Sequence, residues 1–220
     1  MKREKNPINN LIKIENFINF NQNIETTDKT FEKLMFMYSI AIRELETKIS
    51  ILKDEYKIFY DYNLIDHINT RIKTPESIIK KMKDRNLELT YKEMIENIND
   101  IAGIRIICPL KKDIFAIKKL IEKFSEIQIL KEKDYITNPK KSGYSSYHLI
   151  VAIPILLAGK NIYMKVEIQI RTMAMDFWAS LEHEMKYKAN KEISKKMSKE
   201  WVNYAKLINK FDNKFMAMNR

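Results

Sequence analysis

Glycine and proline are scarce in this sequence, three and five among 220 residues, and cysteine occurs once. So few glycines and prolines argue against a fold of many tight turns and for a large helical share. A single thiol, Cys108, excludes an intrachain disulfide and fits a reducing compartment. It lies in the apolar run Ile104–Leu110 and reads as a small packed hydrophobe. No apolar run approaches the roughly 18–20 residues that span a bilayer. The opening MKREKNPINN is not followed by the apolar stretch of about 7–15 residues found in a secretory leader. The expected location is therefore cytoplasmic, with no membrane partner. His67, His148 and His183 are scattered, and no Cys/His cluster has zinc spacing. Neither the phosphate-loop pattern G-x-x-x-x-G-K-[ST] nor G-x-G-x-x-G occurs, and there is no internal repeat.

What the chain does have is cationic charge: 40 Lys and Arg against 29 Asp and Glu, a net +11. This implies an anionic partner, whether nucleotide, nucleic acid or acidic surface, without choosing among them. In a Lys/Asn/Ile-rich chain much of that excess can also be solvated helix surface. With 45% hydrophobic and 31% charged residues, the composition is that of a globular protein large enough for one well-cored domain with appended helices.

Periodicity divides the chain. Residues 1–29 are Asn-rich, with Ile8, Leu11, Ile12, Phe17 and Ile18 able to line a short amphipathic helix before a linker over 21–29. From Thr30, apolar residues at three- and four-residue steps (Phe31, Leu34, Met35, Tyr38, Ile42, Leu45, Ile49, Leu52, Tyr56, Phe59) predict one long helix. An extended piece over 64–73 leads to Thr74-Pro75-Glu76-Ser77, a helix start with Thr74 as N-cap and Pro75 in the first helical position. Short helices are expected over 75–85 and 91–97. A buried strand follows over 104–108, then a helix over 112–124 and a strand over 126–134. Strands 144–154 and 161–171 form a hairpin through Ala158-Gly159. A helix over 173–188, with Phe177, Trp178, Leu181 and Met185 inward, and a Lys-rich helix over 193–218 complete the chain. The expected architecture is α+β: a mixed sheet of about five strands flanked by helices, with extra N- and C-terminal helices. The corresponding division is 1–60, 61–190 and 191–220.

Lys165–Arg171 alternates strictly, so Val166, Ile168 and Ile170 face a core while Lys165, Glu167, Gln169 and Arg171 share the other face. Taken alone, such a row reads as a solvated strand face. Other segments reverse that preference. Arg71, Lys73, Ser77 and Lys81 surround a helix N-terminus, whose free N–H groups suit phosphate, although a basic surface start reads the same way. Arg105 lies in an apolar strand and needs a partner, for which Asp100 is the nearest candidate, or a purine to stack on. Lys131, Lys133, Lys140 and Lys141 flank the loop before Gly143. If the next strand starts at Tyr144, then Tyr144, Ser146 and His148 share one face. The carboxylates Asp100 and Glu167 suit Mg²⁺, which takes one or two protein carboxylates and completes its shell with phosphate and water.

Four stretches together, RIKTPESIIKKM (71–82), DIAGIRIIC (100–108), KDYITNPKKSGYSSYHLIV (133–151) and VEIQIRTMAMDFWASLEHEMKYK (166–188), resemble the synthetase domain of the RelA/SpoT family, and more closely its stand-alone small alarmone synthetases. The resemblance implies a nucleotidyltransferase-like fold. It implies transfer of the β,γ-pyrophosphate of ATP to the 3′-OH of GDP or GTP, with release of AMP. On the matching positions it implies that Arg71 and Arg105 sandwich the adenine and that Lys73, Ser77 and Lys81 hold the ATP phosphates. Asp100 and Glu167 bind Mg²⁺, with Glu167 also the candidate base. Tyr144 stacks the guanine, Lys133, Lys140 and His148 contact the acceptor, and Gln169 and Arg171 shape the floor. It further implies a homotetramer, to which the long flanking helices lend themselves; weak RNA binding is compatible with the charge. The chain has no His-Asp dipeptide, so the hydrolase of long family members is not expected. The alternatives are another nucleotidyl or pyrophosphoryl transferase on this fold, or a non-catalytic nucleotide- or RNA-binding module.

Overall fold

The computed structural model describes residues 22–26, 28–188 and 195–218. The helix expected between Ile8 and Ile18 lies outside them. Helix α1 spans Lys29–Tyr60, and strand β1 is His67–Ile72. Helices α2 (Pro75–Lys83) and α3 (Tyr91–Asn97) precede β2 (Ala102–Cys108). Helix α4 (Lys111–Ile121), then β3 (Gln128–Asp134), β4 (Tyr147–Leu157) and β5 (Lys160–Thr172) follow. Helices α5 (Met173–Lys188) and α6 (Lys195–Met218) end the described chain. The linker region is tied down in part, since Asn23 bridges Thr90 and Ile24 N–H donates to Leu89 C=O.

The five strands form one mixed sheet in the order β1-β2-β5-β4-β3. Only β2 and β5 run parallel; the other neighbours are antiparallel. The apolar face of the sheet comes from Ile104, Ile106, Leu149, Val151, Val166, Ile168 and Ile170, all buried in one core. Helix α1 lies across β1, β2, β4 and β5. It buries Phe31, Leu34, Met37, Tyr38, Ala41, Ile42, Leu45, Ile49 and Leu52 in that core. Each of the Leu, Ile, Met and Phe side chains among them contributes about 1.5–3 kcal/mol of transfer free energy, which is what holds a helix of this length on the sheet. Beyond Leu52 the half-buried Tyr56 still packs against the core, but Phe59 is exposed, contrary to the expected stripe. Thr74 caps α2 by accepting the Ser77 N–H at 3.3 Å, as its sequence predicts.

The hairpin is longer and tighter than expected. Strands β4 and β5 pair down to Leu157 and Lys160, leaving a two-residue turn in which Ala158 (φ 48°) and Gly159 (φ 74°) are both left-handed. At its other end β4 begins at Tyr147, so Tyr144 belongs to the preceding loop rather than to the strand. Helix α5 buries Met175, Trp178, Ala179 and Glu182, whereas Phe177, Leu181 and Met185 are exposed. The inward face is thus rotated from the one expected, because Thr172 starts the helix directly at the strand end. Its Oγ1 accepts the Met175 N–H at 3.1 Å and donates to the buried Asp212 of α6 at 2.7 Å. Among the described residues no helix is long and apolar enough to cross a membrane.

Helix α6 closes on the 139–145 loop at Gly143, whose φ is +90° and where an added Cβ would lie 2.4 Å from the Ala205 Cβ. A side chain there meets both a disfavoured backbone region and a clash. Gly143→Ala should destabilise the protein by about 1–3 kcal/mol in denaturant unfolding.

Candidate active site

Strand register decides which polar groups meet. Glu167 pairs across to Gly103 of β2 and to Ile150 of β4; Gln169 pairs with Arg105 and His148; Arg71 pairs with Gly103. Lys133 of β3 stands opposite His148. Directly paired residues point to the same side of a sheet. Arg71, Arg105, Glu167, Gln169, Arg171, His148 and Lys133 therefore rise from one face, opposite the main core. Ile107, Ile150 and Ala152 of that face are buried yet stand outside the main core cluster.

Asp100 enters just ahead of β2 and meets the start of α2. Its Oδ2 accepts from Lys73 Nζ at 3.0 Å and Lys81 Nζ at 2.7 Å. Burial pushes the Asp100 carboxyl upward, but these two ammonium groups hold it below its ordinary value. The expected Arg105–Asp100 pair does not form: Arg105 reaches Asp176 instead, at 3.1 Å. Asp100 has already been taken by two lysines of its own end of the sheet. Its Oδ1 is buried and has no hydrogen-bond partner. Arg71 and Arg105 line a cleft of about 130 Å³ with Asn69, Thr70, Gly103, Ile104 and Gln169. Ser77 stays at the α2 N-terminus, where Thr74 Oγ1 lies 3.0 Å from its hydroxyl.

Around Glu167 and Arg171 the side chains form a closed circuit. Arg171, 4% exposed, donates from Nη2 to Tyr144 Oη at 2.5 Å and to Gln169 Oε1 at 2.7 Å. Gln169 Nε2 donates to Glu167 Oε2 at 2.8 Å. His148 Nδ1 lies 3.2 Å from Glu167 Oε1, and its Nε2 lies 2.8 Å from Tyr144 Oη. A carboxylate can only accept, so Nδ1 carries the proton, and the neutral ring accepts from the Tyr144 hydroxyl at Nε2. Burial, together with Arg171 and Lys140, lowers the His148 pKa against the pull of Glu167, which keeps this tautomer neutral. Burial raises the Glu167 pKa, but the bonds from His148 and Gln169 outweigh it and the carboxyl stays below its ordinary range. Lys140 Nζ sits 4.8 Å from the ring centres of both Tyr135 and Tyr144.

Two expected members of this face behave differently. Ser146 is fully buried beneath the site; its Oγ accepts from Arg171 Nε at 3.3 Å and lies 3.3 Å from Ile170 C=O. Lys165 shares the face of Glu167 but is 5% exposed and ties down the segment before Asp100. Its Nζ donates to Glu96 C=O at 2.8 Å and to Asn99 Oδ1 at 2.9 Å. Asp176 and Tyr135 were missed. An acid in the first turn of a helix that leaves an arginine-bearing strand is the signal that points to Asp176. A larger apolar cavity of about 220 Å³, lined in part by Trp178, Val202 and Ala205, lies behind the Lys140–Ser145 loop and contains no carboxylate.

Two acids near a helix start flanked by lysines, two arginines lining one cleft and an aromatic platform suit an enzyme that moves a phosphate-containing group between nucleotides. Residues 70–192 match the family described as "Region found in RelA / SpoT proteins". The chain is 40% identical over 197 residues to the GTP pyrophosphokinase YwaC of Bacillus subtilis (strain 168), covering 90% of this chain and 94% of that protein. It is 35% identical over 170 residues to the GTP pyrophosphokinase YjbM of the same organism, covering 77% and 79%. Its fold matches the crystal structure of small alarmone synthetase 1 from Bacillus subtilis bound to its product pppGpp, with a TM-score of 0.81 and 32% identity over 87% of this chain and 97% of that one. The chain belongs to the RelA/SpoT family.

The depressed His148 pKa fixes a sign. In the window below the unfolded imidazole value of about 6.5, the unfolded chain binds more protons than the folded one. Stability from this group is complete above that value and is lost as pH falls through the folded pKa. Denaturant unfolding of the nucleotide-free protein should therefore show stability declining below about pH 6.5. In His148→Asn, which retains a donor but cannot titrate, that part of the slope should vanish.

Proposed function

We propose that this protein is a (p)ppGpp synthetase that transfers the β,γ-pyrophosphate of ATP to the 3′-oxygen of GDP or GTP and releases AMP. The observation that carries the reading is Glu167. It is an ionised carboxylate at the centre of the polar face, between the Asp100–lysine cluster on one side and the Tyr144–His148 platform on the other. The relatives' names, GTP pyrophosphokinase, and the close fold match to a small alarmone synthetase support the same activity.

On the donor side Arg71 and Arg105 hold the adenine between guanidinium planes. Lys73 and Lys81 exchange Asp100 for the ATP phosphates, with Ser77 and the α2 N-terminus beside them. On the acceptor side Tyr144 stacks the guanine once Lys140 leaves its ring for the acceptor's phosphates. Lys133 adds a second cation, while His148, Gln169 and Arg171 form the floor. The 3′-oxygen attacks the β-phosphorus, the oxygen bridging the α- and β-phosphorus leaves with AMP, and Glu167 takes the hydroxyl proton. Because the chemistry is phosphoryl-type, most of the acceleration comes from position and charge neutralisation.

The residues present fit a magnesium ion. Asp100 Oδ1 is buried and unpartnered, and Glu167 lies close enough that the two carboxylates repel. Asp100 and Glu167 would hold it. Bound Mg²⁺ neutralises phosphate charge and acidifies a nearby hydroxyl, which suits a base whose own pKa is low. Among the described residues no group of three or more His, Cys, Asp or Glu could hold a metal alone, so the nucleotide phosphates would complete the shell. The reading includes a cytoplasmic setting and a homotetramer. Exposed Tyr204, Leu207, Phe211 and Phe215 along α6 support self-association.

With ATP, Mg²⁺ and GDP or GTP, the purified protein should yield AMP and a 3′-pyrophosphorylated guanosine nucleotide identified by mass. Glu167→Gln should lower kcat by at least about a hundredfold while both nucleotides still bind. Full turnover in that variant would remove Glu167 from the chemistry.

A further inference from the structure

Asp176 belongs to neither nucleotide's subsite, yet one of its oxygens touches both halves of the face. Asp176 Oδ1 lies 3.1 Å from Arg105 Nη1 and 3.1 Å from Arg171 Nη1. Arg105 is on β2 and walls the cleft shared with Arg71. Arg171 is on β5 and holds Tyr144 and Gln169. The two guanidinium groups repel each other, and Asp176 is the carboxylate that offsets this at Arg105. The placement is built into the fold. Thr172 caps α5 immediately at the end of β5, so Asp176 falls in the first helical turn, directly beside the strand that carries Arg171. Arg105 Nε is buried with no hydrogen-bond partner, so Asp176 alone is not enough to satisfy this side chain.

We infer that Asp176 is a positioning residue that couples the two nucleotide subsites, making donor and acceptor bind with positive cooperativity. This inference rests on the pyrophosphate-transfer reading above for the identity of the two nucleotides. A purine packed on Arg105 fixes that guanidinium and, through the shared Oδ1, the Asp176 side chain. Asp176 then holds Arg171, and Arg171 holds Tyr144 and Gln169 in place for the acceptor. Whichever nucleotide enters second finds part of the ordering already done, so its affinity rises. By linkage the factor is the same in either order.

The test is equilibrium binding of a non-hydrolysable ATP analogue with Mg²⁺, with and without saturating GDP, to wild type and to Asp176→Asn. The Asn variant keeps size and one acceptor but removes the charge. In wild type, GDP should tighten the analogue by about fivefold or more, and in Asp176→Asn that factor should fall below about twofold. KM for both nucleotides should rise about tenfold in the variant, with kcat changing less, a split that a general loss of folded protein would not give. An unchanged coupling factor in a folded Asp176→Asn protein overturns the inference. So does a wild-type protein that binds both nucleotides independently, a result that needs no variant to fold. Wild type that binds both nucleotides cooperatively but transfers no pyrophosphate would overturn the reaction assigned above and leave the role of Asp176 standing.

Discussion

A buried arginine sets the terms for this site. Arg171 is almost fully enclosed, and an enclosed guanidinium has five N–H donors that must be matched. Four of the five are matched, by Ser146 at Nε, Asp176 at Nη1, and Tyr144 and Gln169 at Nη2. These four groups come from the loop before β4, from β5 and from the first turn of α5. Removing the one carboxylate among them would leave a buried charge uncompensated, at a cost of about 3–5 kcal/mol, so the segments are held in one arrangement. The carboxylate of Glu167 benefits at second hand: Arg171 orients Gln169 and Tyr144, Tyr144 orients His148, and both Gln169 and His148 bond Glu167.

This arrangement separates charge usefully. The Asp100 end is strongly cationic, with Lys73 and Lys81 converging on a single Asp100 oxygen. The Tyr144–His148 end keeps Glu167 anionic through neutral donors rather than a contacting ammonium, so its oxygens are not locked in an ion pair. An incoming anion can compete with Asp100 for the two ammonium groups, so these pairs are exchangeable rather than permanent. A site built from permanent, fully satisfied ion pairs would have had no such freedom.

The sequence was informative wherever a local rule applied. Alternation in Lys165–Arg171 assigned the two faces of β5 correctly, and Thr74-Pro75 marked the start of α2. The three- and four-residue apolar steps found the helix now seen over Lys29–Tyr60. It failed where the outcome depended on a neighbour. Tyr144 reads as part of the strand but lies before it; its ring reaches His148 because the loop folds back. Arg105 has Asp100 five residues away in sequence, yet pairs with Asp176 from another element. The inward face of α5 was misjudged, since the strand-to-helix junction at Thr172, and not the hydrophobic pattern, sets its rotation.

The sequence by itself therefore determined most of the elements, the apolar side of the strands, and the residue types on the polar face, because helix and strand periods and capping act over a few residues. Only the tertiary structure decided which of those residues touch. Register between β1, β2, β5 and β4 brought Arg71, Arg105, Glu167 and His148 into line, and the fold of one loop and the start of one helix brought Tyr144 and Asp176 to Arg171. Partner choice among charged groups is a matter of distances of about 3 Å, and such distances arise only when separate elements have packed.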